Sequence, residues 1–245
     1  MQSFPSPPLS CPRLQLLGQF RLDLDAEPVE LCGNAQRLLA FVGLRGRVSR
    51  SVLAGTLWPD VPEERARGSL RTTLWKMPRC DQGLIRCTRE GMAMADTVSV
   101  DVHTLAETAL GVLHGPEAVL DRPAPMGLLN GGDLLPDWDD DWVVPEREWL
   151  RQLRLHALEA LSEKLARQGM PALALEAALA SVRIEPLRES AHRAVVSAHL
   201  AEGNVIEAVR HYHAFRRLLR TELGVEPSPE FSRMIPPTQQ RLTQQ

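Results

Sequence analysis

The 245-residue sequence lacks the features that direct a protein into or across a membrane. It has no apolar run near the ~20 residues that a membrane-spanning helix needs. Its first residues, MQSFPSPPLSCP, do not combine the basic start and apolar core of a signal peptide. Its four cysteines form no C-x-x-C pair, and their spacings fit no zinc site. We interpret them as structural or spare thiols in a reducing cytosol: Cys11, Cys32, Cys80 and Cys87. We therefore expect a cytoplasmic protein.

The sequence also lacks the common catalytic and metal-binding motifs. No G-x-x-x-x-G-K-[ST] loop, H-E-x-x-H or G-x-S-x-G occurs. His211 and His213 are two residues apart on a predicted helix, so they point to different faces. His192 and His199 are about two turns apart, too far to share one ion without a third ligand. The carboxylates of Asp139–Asp141 lie in an acidic stretch, where we expect them to face solvent. These absences predict a protein that is not an enzyme and needs no metal or cofactor.

Charge is distributed unevenly along the chain. From Arg37 to Arg89 there are eleven Lys and Arg against four Asp and Glu. From Leu113 to Leu150 there are two basic against nine acidic residues. The first region can face a polyanion and the second cannot. Solvated faces also vary in charge, so charge alone does not distinguish a polyanion-binding face from an ordinary surface. The secondary structure around the basic residues is needed for that distinction.

The N-terminal third of the sequence predicts short strands followed by two helices. Residues 14–31 alternate apolar and polar around a turn at Ala26–Pro28, as short antiparallel strands do. Asn34 is a predicted N-cap for a helix that ends near Gly46. Ser49 is a predicted N-cap for a second helix, RSVLAGTLW.

A third helix and a hairpin follow. Glu63 and Glu64 suit the first turn of a helix, where carboxylates favour the helix dipole, and Pro78 must end that helix. Residues 84–95 alternate around Gly91, which predicts a hairpin. Strands, three helices and a hairpin in this order predict a winged helix, a DNA-binding architecture.

The third helix is amphipathic in an unusual way. Four apolar positions share the face that we expect to be buried: Ala66, Leu70, Leu74 and Met77. The outward face is basic and short-polar, with no carboxylate after Glu64: Arg65, Ser69, Thr72 and Lys76, flanked by Arg71 and Trp75. Either this face enters a DNA groove, where arginine can pair with guanine, or it is a solvated surface. Trp75 either stacks on sugar-phosphate or packs against the hairpin. Arg86 and Arg89 either meet DNA from the wing or are solvated.

The C-terminal half predicts helices with an internal repeat. Asp101 is a predicted cap for a helix to about Leu113, residues 114–145 read as an irregular acidic connector, and Pro145 opens a long helix. Three pairs of residues recur at a spacing of 34, with Pro186 following the first repeat: Gly169 and Gly203, Ala174 and Ala208, Ala178 and Tyr212. This period is typical of tetratricopeptide helix pairs.

Several motifs resemble one family of bacterial regulators. The segment 187–231, with RES, Y-x-x-x-R-R-x-L and ELGVEPSPE, resembles the bacterial transcriptional activator domain (BTAD). The upstream LLG, VSRSVLAGTLW and basic helix are similar to an OmpR/PhoB-type winged helix-turn-helix. Together they resemble the SARP family of transcriptional activators, over about Leu14 to Met234. The third helix departs from the family pattern at Met77-Pro78, where a Leu-Arg pair and another basic turn are usual. The hairpin has Gly91-Met92 where many members have Gly-Tyr.

The resemblance implies how the chain would work. It implies binding of double-stranded promoter DNA at tandem direct repeats about one helical turn apart, possible homodimers, recruitment of RNA polymerase, and control of biosynthetic genes. It places Trp58 near a phosphate and turns the loop bearing Asp60, Glu63 and Glu64 towards the polymerase. Helix capping and solubility explain those acidic residues equally well.

We therefore expect a mainly α protein with a small β content. The expected parts are a flexible tail (1–12), a winged-helix DNA-binding domain (13–103), a helix and acidic connector (104–145) and an all-α, tetratricopeptide-like BTAD (146–245). The alternative is an adaptor or scaffold that acts through its helical repeats without binding DNA, which the early end of the third helix favours.

Overall fold

The computed structural model describes residues 11–78, 83–115, 129 and 131–236. Its contacts divide the chain into two compact units. The first consists of described residues within Met1–Leu105 and Gly131–Glu148, and the second of those within Ala106–Asn130 and Trp149–Gln245. The stretch 104–145, expected from the sequence as one connector, is thus shared between the two units. The expected domain boundaries remain predictions.

A small sheet opens the first unit. Its strands, in the order β3-β2-β1-β6, are β1 (Arg13–Gln15), β2 (Arg21–Leu24), β3 (Glu27–Pro28) and β6 (Ser99–Val100). β1 pairs antiparallel with β2 and parallel with β6. Leu14 and Leu22 are directly opposite each other and buried, so the alternating pattern does mark one core face. The turn lies at Asp25 and Ala26, both with positive φ, one residue ahead of the predicted Ala26–Pro28.

Three helices follow: α1 (Gly33–Arg45), α2 (Arg50–Leu57) and α3 (Glu63–Trp75). The predicted cap at Ser49 is confirmed, because its side chain accepts a hydrogen bond from the Val52 N–H. The predicted cap at Asn34 is wrong. Cys32 holds the N-cap position in extended conformation, and its carbonyl accepts the first hydrogen bonds of α1, so Asn34 lies inside the first turn.

The predicted hairpin is present as β4 (Ile85–Cys87) paired with β5 (Met92–Met94). With α1, α2 and α3 before it, it completes the winged helix expected from the sequence. Val48, between α1 and α2, exchanges two backbone hydrogen bonds with Met92 of β5. The wing is therefore attached to the loop that precedes α2.

One partly buried carboxylate links the sheet to the next helix, α4 (Asp101–His114). Asp101 accepts hydrogen bonds from the backbone N–H groups of Leu16, Leu17 and Val102. Burial raises the pKa of Asp101, while these hydrogen bonds act to lower it. The carboxylate thereby satisfies backbone donors just beyond the end of β1.

The described part of the acidic stretch, residues 131–142, consists of irregular chain and turns, as expected, and one isolated β-bridge joins it to the backbone after β1. Leu134 forms a β-bridge with Leu17, the Gly18 N–H donates to the Asp133 backbone carbonyl, and the Leu135 N–H donates to the Leu16 backbone carbonyl. Residues 133–135 therefore pair with the backbone that follows β1. The reason is that residues 16–18 carry donors and acceptors that need partners.

Repeated helix pairs make up the second unit. The helices are α5 (Val143–Arg167), which belongs to this unit from Trp149 onward, α6 (Pro171–Ile184), α7 (Glu189–Ala201), α8 (Val205–Leu223) and α9 (Pro229–Arg233). α5 begins two residues before the predicted Pro145, since the first turn of a helix tolerates the missing N–H of proline.

The 34-residue repeat corresponds to equivalent structure. Gly169 and Gly203 both adopt positive φ, 75° and 81°, in the turns before α6 and α8. Ala174 and Ala208 are both fully buried on those helices, where small side chains let neighbouring helices approach closely. The periodic pattern therefore marks the same position in successive helix pairs, as predicted.

Across the described residues, no helix combines the length and the apolar character that crossing a bilayer requires.

Candidate nucleic-acid interface

Local sequence signals position α3. Pro62 precedes the helix, two carboxylates occupy its first turn, and it ends at Trp75 with Lys76 as C-cap. The predicted end before Pro78 is confirmed. Ala66 and Leu70 are buried as expected, whereas Leu74 and Met77 are only partly buried. Thr73 is buried instead, because its hydroxyl donates to the Ser69 carbonyl of its own helix and leaves no unpaired polar group.

A concavity of about 450 Å³ lies on one side of α3. All four residues predicted to face outward line it: Arg65, Ser69, Thr72 and Lys76. Its other wall includes Cys32 and Asn34 at the start of α1. The Thr72 hydroxyl donates to the Gly68 carbonyl, which leaves its oxygen free to accept a hydrogen bond.

A second concavity, of about 1020 Å³, lies on the other side of the same helix. Arg65 lines this one too, and Arg71 and Arg67 join it. The start of α2 contributes Arg50 and Ser51, which sequence reasoning did not identify. The sequence does contain a signal for Arg50: it directly follows Ser49, the predicted N-cap, and this position places a cation at the start of α2.

The cations of this surface differ in whether they are paired. Arg67 forms an ion pair with Glu63 and donates to Ser51. By contrast, four cations form no ion pair with any described residue: Arg50, Arg65, Arg71 and Lys76. The carboxylate of Glu64 lines the larger concavity beside them. Because these exposed cations have no ion pair among the described residues, they can pair with an external anion without first breaking a salt bridge.

The wing presents its two predicted arginines differently. Arg86 forms an ion pair with Asp96, 2.7 Å between Nη1 and Oδ2. Arg89, in the turn of the hairpin, has no ion pair within the described residues. The neighbouring Glu90 pairs with Arg47. Arg89 is therefore the more available of the two, although an exposed pair such as Arg86–Asp96 stabilises by at most about 1 kcal/mol.

The two tryptophans of this region lie in different environments. Trp58 is partly buried at the C-cap of α2. Trp75 is 77% exposed. Of the two predicted alternatives for Trp75, packing against the hairpin is therefore excluded.

The acidic loop before α3 is exposed. Asp60 and Glu64 have no ion pair within the described part of the chain, whereas Glu63 pairs with Arg67 four residues later. The carboxylates are thus accessible to a partner. Their position at the start of α3 also fits a purely local role at the helix dipole.

In the second unit, the motif RES forms a hydrogen-bonded group. Arg188 pairs with Glu159 of α5 at 2.6 Å, and the Ser190 hydroxyl donates to the same carboxylate at 2.8 Å. Glu189 accepts hydrogen bonds from Ser228, in the motif ELGVEPSPE. Gly224 of that motif ends α8 in the left-handed conformation. The residues that carry the resemblance therefore hold α5, α7 and α9 in place.

A histidine pair is buried between α7 and α8. The Nε2–H of His192 donates to the Pro186 carbonyl, so its Nδ1 is left to accept from Nε2–H of His211 at 2.9 Å. No group of three or more potential ligands among the described residues is arranged to hold a metal ion. The sequence analysis considered His192 together with His199, whereas in the structure His192 pairs with His211.

Comparisons with known proteins identify similar proteins for nearly the whole chain. Residues 125–236 match the family model of the bacterial transcriptional activator domain. The chain is 28% identical over 252 positions to the regulatory protein AfsR of Streptomyces coelicolor and 27% identical over 241 positions to AfsR of Streptomyces griseus. These matches cover 95% and 94% of this chain but 24% of either relative. The chain thus spans about a quarter of the length of the curated relatives it matches.

A solved structure shares the fold. The structure of Mycobacterium tuberculosis EmbR in complex with a low affinity phosphopeptide has a TM-score of 0.72 and 19% identity, over 91% of this chain and 64% of that one. The sequence matches point to a transcriptional regulator rather than to an enzyme. Residues 125–236 match the bacterial transcriptional activator domain, and nearly the whole chain is similar to the AfsR regulatory proteins.

Proposed function

We propose that the chain is a sequence-specific DNA-binding activator. The winged helix of residues 13–103 binds promoter DNA, and the helical residues 146–245 support it, mediate association or contact the transcription machinery. The observation that carries this proposal is the face of α3 with Arg65, Arg71 and Lys76, which have no ion pair within the described residues. A protein gains affinity for DNA when its cations replace condensed counterions on the phosphates.

α3 enters the major groove, which is wide enough for a helix. Arg65, Ser69, Thr72 and Lys76 approach base edges or phosphates. Arg71 and Arg50, on the other concavity, meet the backbone beside them. Arg89 and, after exchange of its ion pair, Arg86 reach the backbone or minor groove from the wing. Trp58 lies near a phosphate.

The bound promoter carries tandem direct repeats about one helical turn apart, so that each repeat receives one copy of the chain on the same side of the duplex. RNA polymerase is recruited through the loop before α3. Asp60 in that loop and Glu64 in the first turn of α3 have no ion pair among the described residues, while Glu63 first has to leave Arg67. Biosynthetic genes are the expected targets.

Selection of bound fragments from the genomic DNA of the source organism, at two salt concentrations, tests the proposal. Wild-type protein is expected to recover one repeated motif, with weaker recovery at the higher salt concentration. The Arg65→Ala/Lys76→Ala variant is expected to lose most of that recovery. Arg13→Ala serves as control, because Arg13 is also exposed and without an ion pair among the described residues but lies on β1.

A second candidate function is an adaptor without DNA binding. Two observations favour it: α3 ends at Trp75, and the second unit has a groove of about 690 Å³ between α5 and α7, with α9 at its edge. Folded wild-type protein that recovers no motif above background would support the adaptor and contradict DNA binding.

A further inference from the structure

Trp75 is the most exposed large apolar side chain in the described part of the molecule, at 77%. It is the last residue of α3, and its ring contacts no other aromatic ring or cation among the described residues. Single exposed apolar side chains are common on protein surfaces. The exposure of Trp75 therefore indicates a functional role only if its position on the surface supports one.

Trp75 lies on the face of α3 that is proposed to meet DNA. At about 100° per residue, its side chain is roughly 40° from Arg71 and 60° from Thr72 around the helix. Arg71 lines the larger concavity and Thr72 the smaller one. The indole therefore lies on the ridge between the two concavities, with hydroxyls and unpaired cations as its neighbours.

The helix ends directly after this residue. Lys76 is the C-cap and Pro78 follows, so no further helical turn continues over the indole. When cations on both sides hold α3 in a groove, the ring at the ridge faces the floor of that groove. An apolar surface of this size needs an apolar partner there, because a polar base edge against it would lose its hydrogen bonds to water.

We propose that Trp75 is a specificity residue whose indole packs against the C5-methyl group of a thymine at one end of the bound site. This inference rests on the proposed function. The thymine methyl is the apolar group that base edges display in the major groove, whereas the other bases present hydrogen-bond donors or acceptors at comparable positions. Contact with the methyl group therefore favours thymine at a single position of each repeat.

Chemical deletion of the methyl group isolates this contact. Each thymine of the recovered motif is replaced in turn by deoxyuridine, which pairs with adenine in the same way and lacks only the methyl group. At one position the wild-type Kd is expected to rise about three- to fourfold, the effect of exposing one buried methyl group. For Trp75→Ala the same replacement is expected to leave Kd unchanged, and for Trp75→Phe it is expected to retain part of its effect.

Leu110→Ala is the matched control, since Leu110 is an exposed apolar residue (44%) on α4. It is expected to keep the full response to deoxyuridine. Two results overturn the inference while the proposed function stands: equal weakening of every sequence by Trp75→Ala, which indicates a sugar contact, or unchanged DNA binding by Trp75→Ala, which shows that the indole does not contribute to binding. Wild-type protein that selects no motif overturns the proposed function and this inference with it.

Discussion

Glu189 accepts two hydrogen bonds from Ser228, which is 39 residues further along the chain, one from its backbone N–H at 2.8 Å and one from its hydroxyl. The same hydroxyl oxygen accepts from the Phe231 N–H and so caps α9. Phe231 is fully buried among the aromatic residues of the second unit. One carboxylate at the start of α7 therefore holds the residue that caps α9, next to the buried Phe231.

Replacement of Glu189 should therefore destabilise the second unit. In Glu189→Ala the Ser228 N–H loses its acceptor, and we expect the free energy of unfolding to fall by about 1–3 kcal/mol. Urea denaturation followed by circular dichroism measures this. Glu176→Ala is the control, because Glu176 is exposed on α6 with no hydrogen bond or ion pair among the described residues. An equal loss in both variants would contradict the capping role.

Local signals in the sequence predicted much of the fold. Ser49 caps α2 through a hydroxyl placed three residues before the N–H it accepts, Pro78 ends α3 through its ring, and Gly91 lies in the turn of the hairpin. Each depends on neighbouring residues alone. The cap at Asn34 failed because Cys32, two residues earlier, already occupies the N-cap position.

Features that depend on distant residues were not predicted. The pairing of Leu134 with Leu17 joins residues far apart in sequence, and no periodicity marks it. The His192–His211 pair spans two helices, so helical spacing does not reveal it. Within the candidate interface, the sequence predicted which residues of α3 face outward. It did not reveal that Arg86 is paired with Asp96, nor that Arg50 lies beside Arg71.

The buried histidine pair should make the second unit sensitive to acid. Burial, with the nearby His192 and His199, lowers the pKa of His211 to about 4 from an ordinary value of 6.5. Burial also lowers the pKa of His192. The unfolded chain takes up protons near pH 6.5 and the folded one does not, so stability decreases as the pH falls from about 6.5 to about 4.

A variant that keeps the hydrogen bond without the charge tests this explanation. His211→Gln retains a donor for His192 but does not titrate, so we expect a shallower decrease in the free energy of unfolding between pH 6.5 and pH 4. His114→Gln, at the exposed end of α4, should leave the slope as in the wild type. Urea unfolding at four or five pH values is the measurement. A wild-type slope in His211→Gln would show that other groups cause the acid sensitivity.

Gly91 should be essential to the wing. A Cβ atom there would lie 2.5 Å from the Val48 carbonyl oxygen, in the backbone that holds β5. Gly91→Ala must therefore separate the wing from Val48, at a cost of about 1–3 kcal/mol in stability. DNA affinity should fall with it. Urea denaturation and a binding titration on the recovered motif measure the two effects.

Gly55→Ala is the same chemical change, but it is expected to stabilise the protein rather than to destabilise it. Beyond its chain neighbours and the backbone of its own helix, no atom lies within 4 Å of a Cβ at Gly55, which is inside α2. Alanine has a higher helix propensity than glycine, so this variant should gain about 0.5–1 kcal/mol. A stable Gly91→Ala with normal DNA affinity would mean that the attachment of β5 to Val48 is dispensable.

Arg50 should contact phosphate rather than a base. It lies at the start of α2, lines the larger concavity with Arg71, and has no ion pair among the described residues. We expect Arg50→Ala to weaken binding by a similar factor on every DNA sequence, since a phosphate contact carries no sequence information. The slope of log K against log salt should become less steep by about 0.9, the loss of one phosphate contact.

Binding titrations at four salt concentrations, with the recovered motif and with a scrambled duplex, give both quantities. Arg13→Ala should retain the wild-type slope. If Arg50→Ala weakens the motif but not the scrambled duplex, Arg50 reads a base and the first turn of α2 reaches into the groove.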